Sequence, residues 1–187
     1  MLSYEYAPEL GDHIRRSLTV LALASLCWAP ELPAQTDAPM AESEDTRYFD
    51  FWPGTWVEVV DGKPDPSATK FTVRRSVHPA AFEEDWQLHY GGGTHAAVGL
   101  RAWDQVAKRW MFTWVSDNGL FQVWEGVEVG DDWYIVREFE VEGEAFLSRQ
   151  AWIPEGEDRL VRVMERSFDD GRTWQTRSRT SFQRTEP

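Results

Sequence analysis

Hydrophobic and polar residues alternate along most of the chain that follows residue 47. The clearest apolar series is Phe82, Trp86, Leu88 and Tyr90, and the interleaved polar series is Glu83, Asp85, Gln87 and His89. A period of two is the pattern of a β-strand with one buried face. The pattern therefore predicts a β-rich domain whose strands each send alternate side chains into a core.

Ten segments of this kind follow one another, separated by turn signals such as Asp117-Asn118-Gly119. The predicted strands cover 55–61, 68–78, 81–90, 94–103, 109–116, 120–129, 132–141, 145–153, 159–167 and 174–184. No amphipathic helix lies between them, so successive strands should pair as an antiparallel, up-and-down meander. Closing that meander into a barrel removes its exposed edges, although a two-sheet sandwich fits the same pattern.

The first part of the chain differs in composition from the β-rich part. Residues 1–34 are like an export signal, because Arg15-Arg16 is followed by an apolar run, Leu18 to Trp28, and by small residues near Ala34. Residues 35–46 are small, polar and acidic, which predicts a flexible linker. The β-barrel domain should then occupy 47–187, and the protein should be periplasmic or secreted without inserting into the membrane.

Composition narrows the possible partners and cofactors. The formal net charge is -13, and an acidic surface disfavours nucleic acid and anionic lipid. The single cysteine, Cys27, lies in the signal-like segment, so the mature domain has no disulfide or thiolate metal site. Common catalytic and nucleotide-binding motifs are missing, and we predict neither a metal nor a cofactor.

The stretch Tyr48 to Trp56, Y-F-D-F-W-P-G-T-W, resembles the opening F-D-F-x-x-G-x-W of a bacterial domain-of-unknown-function family. That family has a lipocalin-like (calycin) barrel, and the resemblance extends over most of 48–184. It implies that Gly54 lets the chain turn in tightly and that Trp56 plugs one barrel end. In lipocalins an arginine from near the last strand covers this tryptophan, for which the candidates here are Arg177, Arg179 and Arg184.

A second motif, Ser167 to Trp174, resembles the Asp-box S-x-D-x-G-x-T-W of sialidases. Asp169 can accept turn amide hydrogens, Gly171 can supply a positive φ, and Trp174 can pack underneath. Sialidase propellers repeat this box, whereas this chain has one copy and too few strands for several blades. We therefore interpret the motif as the brace of one hairpin.

The abundant aromatic residues, with 11 Trp among them, suggest a cavity wall or a densely filled core. Glu84 and Arg137 share the parity of apolar neighbours, which predicts that each points inward. They could pair with one another, reach solvent at a barrel end, anchor a polar ligand group or act in proton transfer. The candidate cavity residues are Trp56, Glu84, Trp86, Trp110, Trp114, Trp124 and Arg137.

His89 and His95 are a further candidate site. A three-residue glycine loop over 91–93 would place them opposite one another across a hairpin, close enough to share a metal or a proton. A two-residue loop would separate them, and their polar parity predicts an outward face.

Three functional hypotheses follow. The first is an exported lipocalin-like binding module that takes a small, largely apolar ligand inside the barrel. The second is a barrel enzyme of isomerase, decarboxylase or hydrolase type that uses an inward carboxylate or histidine. The third is a structural or protein-binding domain with a filled core. The sequence does not give the oligomeric state.

Overall fold

A computed structural model describes residues 42–185. The predicted export signal and all of the predicted linker before residue 42 lie outside the described residues. A four-residue helix, α1 (Glu44–Arg47), continues into a 3-10 helix, Tyr48–Phe51. Eleven strands follow: β1 (Gly54–Val60), β2 (Lys63–Pro64), β3 (Lys70–Arg75), β4 (Ala81–Tyr90), β5 (Gly93–Asp104), β6 (Arg109–Ser116), β7 (Phe121–Val129), β8 (Asp132–Val141), β9 (Glu144–Pro154), β10 (Arg159–Ser167) and β11 (Gln175–Thr185). Within 42–185 no helix is long and apolar enough to cross a bilayer.

One antiparallel sheet contains all eleven strands. From β3 onward each strand pairs with its neighbour in the chain, β1 pairs with β3, and β11 pairs with β1 to close a ten-stranded barrel. The closing register places Thr55 opposite Thr185 and Trp56 opposite Arg184. The predicted up-and-down barrel of the lipocalin-like kind is confirmed, and the two-sheet sandwich is not formed.

All ten predicted strands are present, and the differences lie at their ends. The largest is at the second predicted strand, which spans Lys70–Arg75 because the chain turns after Arg75. There the Ser76 amide donates to the Ala81 carbonyl and the Ala81 amide donates to the His78 carbonyl. The short β2, which pairs with the end of β1, lies where a turn was predicted.

One end of the barrel is closed by the segment before β1, residues 43–53, which we call the N-terminal cap. Its Phe49 and Trp52 are fully buried among core aromatics. Several side-chain hydrogen bonds attach it to the barrel: among them, the Trp110 Nε1 donates to the Asp45 carbonyl at 3.0 Å, and the Tyr48 hydroxyl donates to Asp132 at 2.9 Å. This end of the interior is therefore filled with side chains.

The junction between cap and barrel has the arrangement that the resemblance implied. Trp56 is buried, and the Arg184 guanidinium lies over its ring at 4.3 Å, so Arg184 is the covering arginine among the three candidates. Arg184 also donates to the Phe51 carbonyl at 2.8 Å. Gly54 has a φ of 134°, and a Cβ there would lie 2.5 Å from Arg184 Nη1. Glycine thus lets the chain pass close beneath the arginine.

The Asp-box residues form the predicted hairpin brace between β10 and β11. Asp169 accepts hydrogen bonds from the Thr173 amide at 2.9 Å, the Thr173 hydroxyl at 2.7 Å and the Ser167 hydroxyl at 2.8 Å. The Gly171 amide donates to the Ser167 hydroxyl at 2.8 Å, and Gly171 has a φ of 82°. The Trp174 Nε1 donates to the Gly171 carbonyl at 3.0 Å. The motif is complete as a local structural unit.

This brace predicts a pH dependence of stability. Hydrogen bonds from the Thr173 side chain and amide, and then from Ser167, lower the pKa of Asp169 from 3.8 to about 2. The folded state therefore binds this proton less readily than the unfolded state, and the stabilisation present above about pH 4 disappears as the pH falls towards 2. Urea unfolding of wild type and Asp169→Asn should show a stability difference that is largest near neutral pH and shrinks through this window.

Asp170→Asn is the matched control, because Asp170 accepts no hydrogen bond from the brace side chains. Its stability difference from wild type should be small throughout. A difference for Asp169→Asn that is constant from about pH 6 to pH 2 would contradict the role given to this carboxylate.

Candidate ligand-binding site

A buried ion pair lies in the barrel interior between β4 and β5. Glu84 is 1% exposed and Arg101 is 0% exposed, and the Arg101 Nε donates to Glu84 Oε1 at 2.9 Å. The inward direction predicted for Glu84 is what the structure shows. Its partner is Arg101, whereas the pairing with Arg137 that was one of the predicted alternatives does not form.

Two tryptophans complete the surroundings of the Glu84 carboxylate. Trp52 of the N-terminal cap donates its Nε1 proton to Oε1 at 2.9 Å, and Trp86 donates to Oε2 at 3.0 Å. Indole and guanidinium groups are donors only, so all three partners match an ionised carboxylate. The carboxylate thus connects the cap, β4 and β5 at one point.

Gly99 provides the space for this arrangement. It lies opposite Glu84 in the β4–β5 register. A Cβ at this position would lie 2.7 Å from Phe112 Cε2 and 3.2 Å from Glu84 Oε2, closer than side chains pack. Glycine therefore lets the carboxylate and the Phe112 ring occupy the inner surface of β5.

The Arg101 guanidinium is surrounded by aromatic rings. Its central carbon lies 4.6 to 5.3 Å from the ring centroids of Phe49, Trp52, Phe112 and Trp152. Its Nη1 and Nη2 have no hydrogen-bond partner within residues 42–185, so cation–π contacts replace hydrogen bonds there. Burial lowers the pKa of Arg101 and the Glu84 carboxylate opposes that effect, and arginine stays protonated in proteins.

A cavity of about 160 Å³ lies against the same aromatic layer. Phe112 and Trp152 of its wall also contact Arg101, which in turn contacts the N-terminal cap. The lining residues are Trp86, Leu88, Phe112, Trp114, Gln122, Trp124, Gln150, Trp152, Arg162 and Met164. The interior is thus filled next to the cap and leaves space beyond the ion pair.

The cavity wall contains two buried donors that lack a partner. Trp152 is 2% exposed, and its Nε1 makes no hydrogen bond to any residue that the structure describes. Arg162 lies opposite Trp152 in the β9–β10 register, and its buried Nε is likewise unpaired within 42–185. Burial lowers the pKa of Arg162, and the charge of Glu58 acts in the opposite direction. Unpaired buried donors are uncommon in folded proteins and call for an explanation.

The structure separates the candidates named from sequence. Trp86, Trp114 and Trp124 line the cavity. Trp56 and Trp110 are fully buried in the filled part of the barrel, and neither lines the cavity. Glu84 does not line the cavity, but its carboxylate accepts a hydrogen bond from the lining residue Trp86.

Arg137 also lies outside the cavity lining, and its guanidinium is over the Phe139 ring at 5.3 Å. The polar cavity residues that the sequence interpretation missed are Gln122 on β7, Gln150 on β9 and Arg162 on β10. Gln150 and Trp152 alternate on β9, as Arg162 and Met164 do on β10. On β9, that period of two was the signal available in the sequence.

The histidine pair is a correction. The loop between β4 and β5 contains only Gly91 and Gly92, so Leu88 lies opposite His95 and His89 lies opposite Thr94. The hypothesis that the two histidines oppose one another is wrong for this reason. His95 Nδ1 lies 3.6 Å from Asp117, and no histidine is among the cavity residues.

No protein-family model matches the chain, and no curated protein matches it significantly. The family resemblance of Tyr48 to Trp56 therefore stays a prediction.

Because of the buried ion pair, substitutions at the adjacent glutamates Glu83 and Glu84 should lower the unfolding free energy by very different amounts. Glu84→Gln leaves the Arg101 charge buried without a counter-ion, and breaking a buried pair in this way costs about 3 to 5 kcal/mol of unfolding free energy. Glu83→Gln changes an exposed neighbour and should cost less than about 0.5 kcal/mol. Urea unfolding followed by Trp fluorescence measures both, and equal stabilities for the two variants would contradict the assignment.

Proposed function

We propose that the protein is a binding module that takes a small, largely apolar ligand in the barrel cavity. The observation that carries the proposal is an aromatic-walled space of about 160 Å³ with unpaired polar donors in its wall. Ligand sites commonly combine apolar walls with a few convergent polar groups. The proposal includes export to the periplasm or outside the cell, which rests on residues 1–34 alone.

The size of the cavity limits the ligand. Pockets for drug-sized molecules enclose about 300 to 1,000 Å³, whereas an engineered apolar cavity of about 150 Å³ holds benzene. A space of about 160 Å³ therefore suits a body of one aromatic ring or a short branched chain. Neighbouring rings favour a planar group, since Trp86 and Trp114 have centroids 5.6 Å apart at 65°.

The arrangement favours binding over the two alternatives. An acid or base must reach the reacting group, yet both oxygens of the Glu84 carboxylate are held by indole and guanidinium donors. The cavity lining contains no carboxylate or imidazole. A structural domain with a filled core would leave no such space.

Blocking the cavity should abolish binding. Met164→Trp places an indole in the lined space, whereas Val123→Trp adds one to an exposed position on the outer face of β7. We expect benzyl alcohol, benzamide or benzoate to bind the wild type in the millimolar to micromolar range, as suits so small a ligand. Calorimetric titration should show at least about tenfold weaker binding to Met164→Trp and unchanged binding to Val123→Trp.

Near-ultraviolet circular dichroism checks that both variants keep the packed barrel. The absence of saturable binding by all three probes to the wild type would contradict the proposed function. Unchanged binding to a folded Met164→Trp variant would show that the ligand binds outside this cavity.

A further inference from the structure

The two arginines at the barrel interior differ in their partners. The Glu84–Arg101 pair contributes one negative and one positive group, which compensate one another at 2.9 Å. Arg162 adds a second guanidinium, and it forms neither an ion pair nor a side-chain hydrogen bond with any residue from 42 to 185. Within the described residues, the cavity wall therefore has one positive charge without a salt-bridge partner.

Glu58 is the acid whose charge acts on Arg162, yet it does not pair with it. Its carboxylate accepts a hydrogen bond from the Thr69 amide at 3.2 Å. No acidic residue is among the cavity residues. Arg162 is half-buried with its Nε fully buried, and charged groups in such positions are normally paired.

Arginine has the geometry for recognising a carboxylate. Its planar guanidinium presents parallel N–H donors that match the two oxygens of a carboxylate. The unpaired Trp152 Nε1 belongs to the residue directly opposite Arg162, so a third donor is available in the same wall. A single positive charge matches a monoanion better than a doubly charged phosphate ester.

We propose that the ligand of this cavity is a small monocarboxylate with a compact apolar body of about one ring, whose carboxylate binds Arg162 while its body packs on the tryptophan wall. This inference rests on the proposed function and narrows it to one chemical class. It assigns Arg162 as the residue that determines specificity, with Trp152 as a second donor.

Benzoate and benzamide are matched probes, because they have similar size and shape and differ in charge. Calorimetric titration of the wild type should give benzoate about 10- to 100-fold tighter binding than benzamide, the range expected for a hydrogen-bonded charge pair. Arg162→Gln should remove that preference by weakening benzoate binding to a similar degree, with benzamide affinity changed less than about threefold. Arg162→Lys should retain an intermediate preference, because it keeps the charge and loses the planar fork.

Arg159→Gln is the control, because it removes an exposed arginine from the same strand. It should leave both affinities unchanged. The wild-type comparison does not depend on the folding of any variant, so it tests the inference even if Arg162→Gln unfolds.

The outcomes separate this inference from the proposed function. Equal binding of benzoate and benzamide to the wild type overturns the carboxylate assignment and leaves the binding module standing. A benzoate preference that persists in a folded Arg162→Gln also overturns it. Failure of both probes, and of benzyl alcohol, to bind overturns the inference together with the proposed function.

Discussion

The buried carboxylate of Glu84 is the interaction on which the interior of this barrel depends. Each of its three donors comes from a different place: Trp52 from the N-terminal cap, Trp86 from the same strand and Arg101 from the neighbouring strand. Ionised groups lose several kcal/mol of hydration on burial, and that loss is offset only when partners satisfy them. The cap through Trp52, the indole of Trp86 and the free inner surface at Gly99 all meet at this carboxylate.

The same ion pair separates two different parts of the interior. On the cap side, aromatic rings fill the barrel, and the Arg184 guanidinium covers the Trp56 ring near the start of β1. On the other side, the Trp86 and Trp152 rings form one boundary of an open cavity whose wall contains Arg162. The Arg101 guanidinium stacks on the Trp152 ring at 4.6 Å, on the side of the cavity next to the ion pair. The charge of Arg101 is compensated by Glu84. This compensation leaves Arg162 as the one cation of the lining that is available to a ligand.

The fold was predictable because its signals are local. Alternation along several strands, together with the turn signals between the strands, located all ten of them, and parity alone placed Glu84 inside. The partner of Glu84 was not predictable. Arg101 lies on the adjacent strand β5, two residues from Gly99, the residue opposite Glu84. Which neighbour the carboxylate contacts depends on how the sheet twists and closes. Arg162 was missed for a related reason: its strand carries buried valines on the outward parity, Val161 and Val163, which obscure the period of two. The histidine pair failed because one residue of loop length shifts the register of a hairpin.

A double-mutant cycle on Glu84 and Arg101 tests the central role of the buried carboxylate most directly. Glu84→Gln, Arg101→Met and the double variant would be compared with wild type by urea unfolding. We expect a coupling free energy of at least about 2 kcal/mol, with the double variant more stable than the sum of the single changes implies. Additivity within about 0.5 kcal/mol would show that the two side chains do not depend on one another, and it would contradict the account.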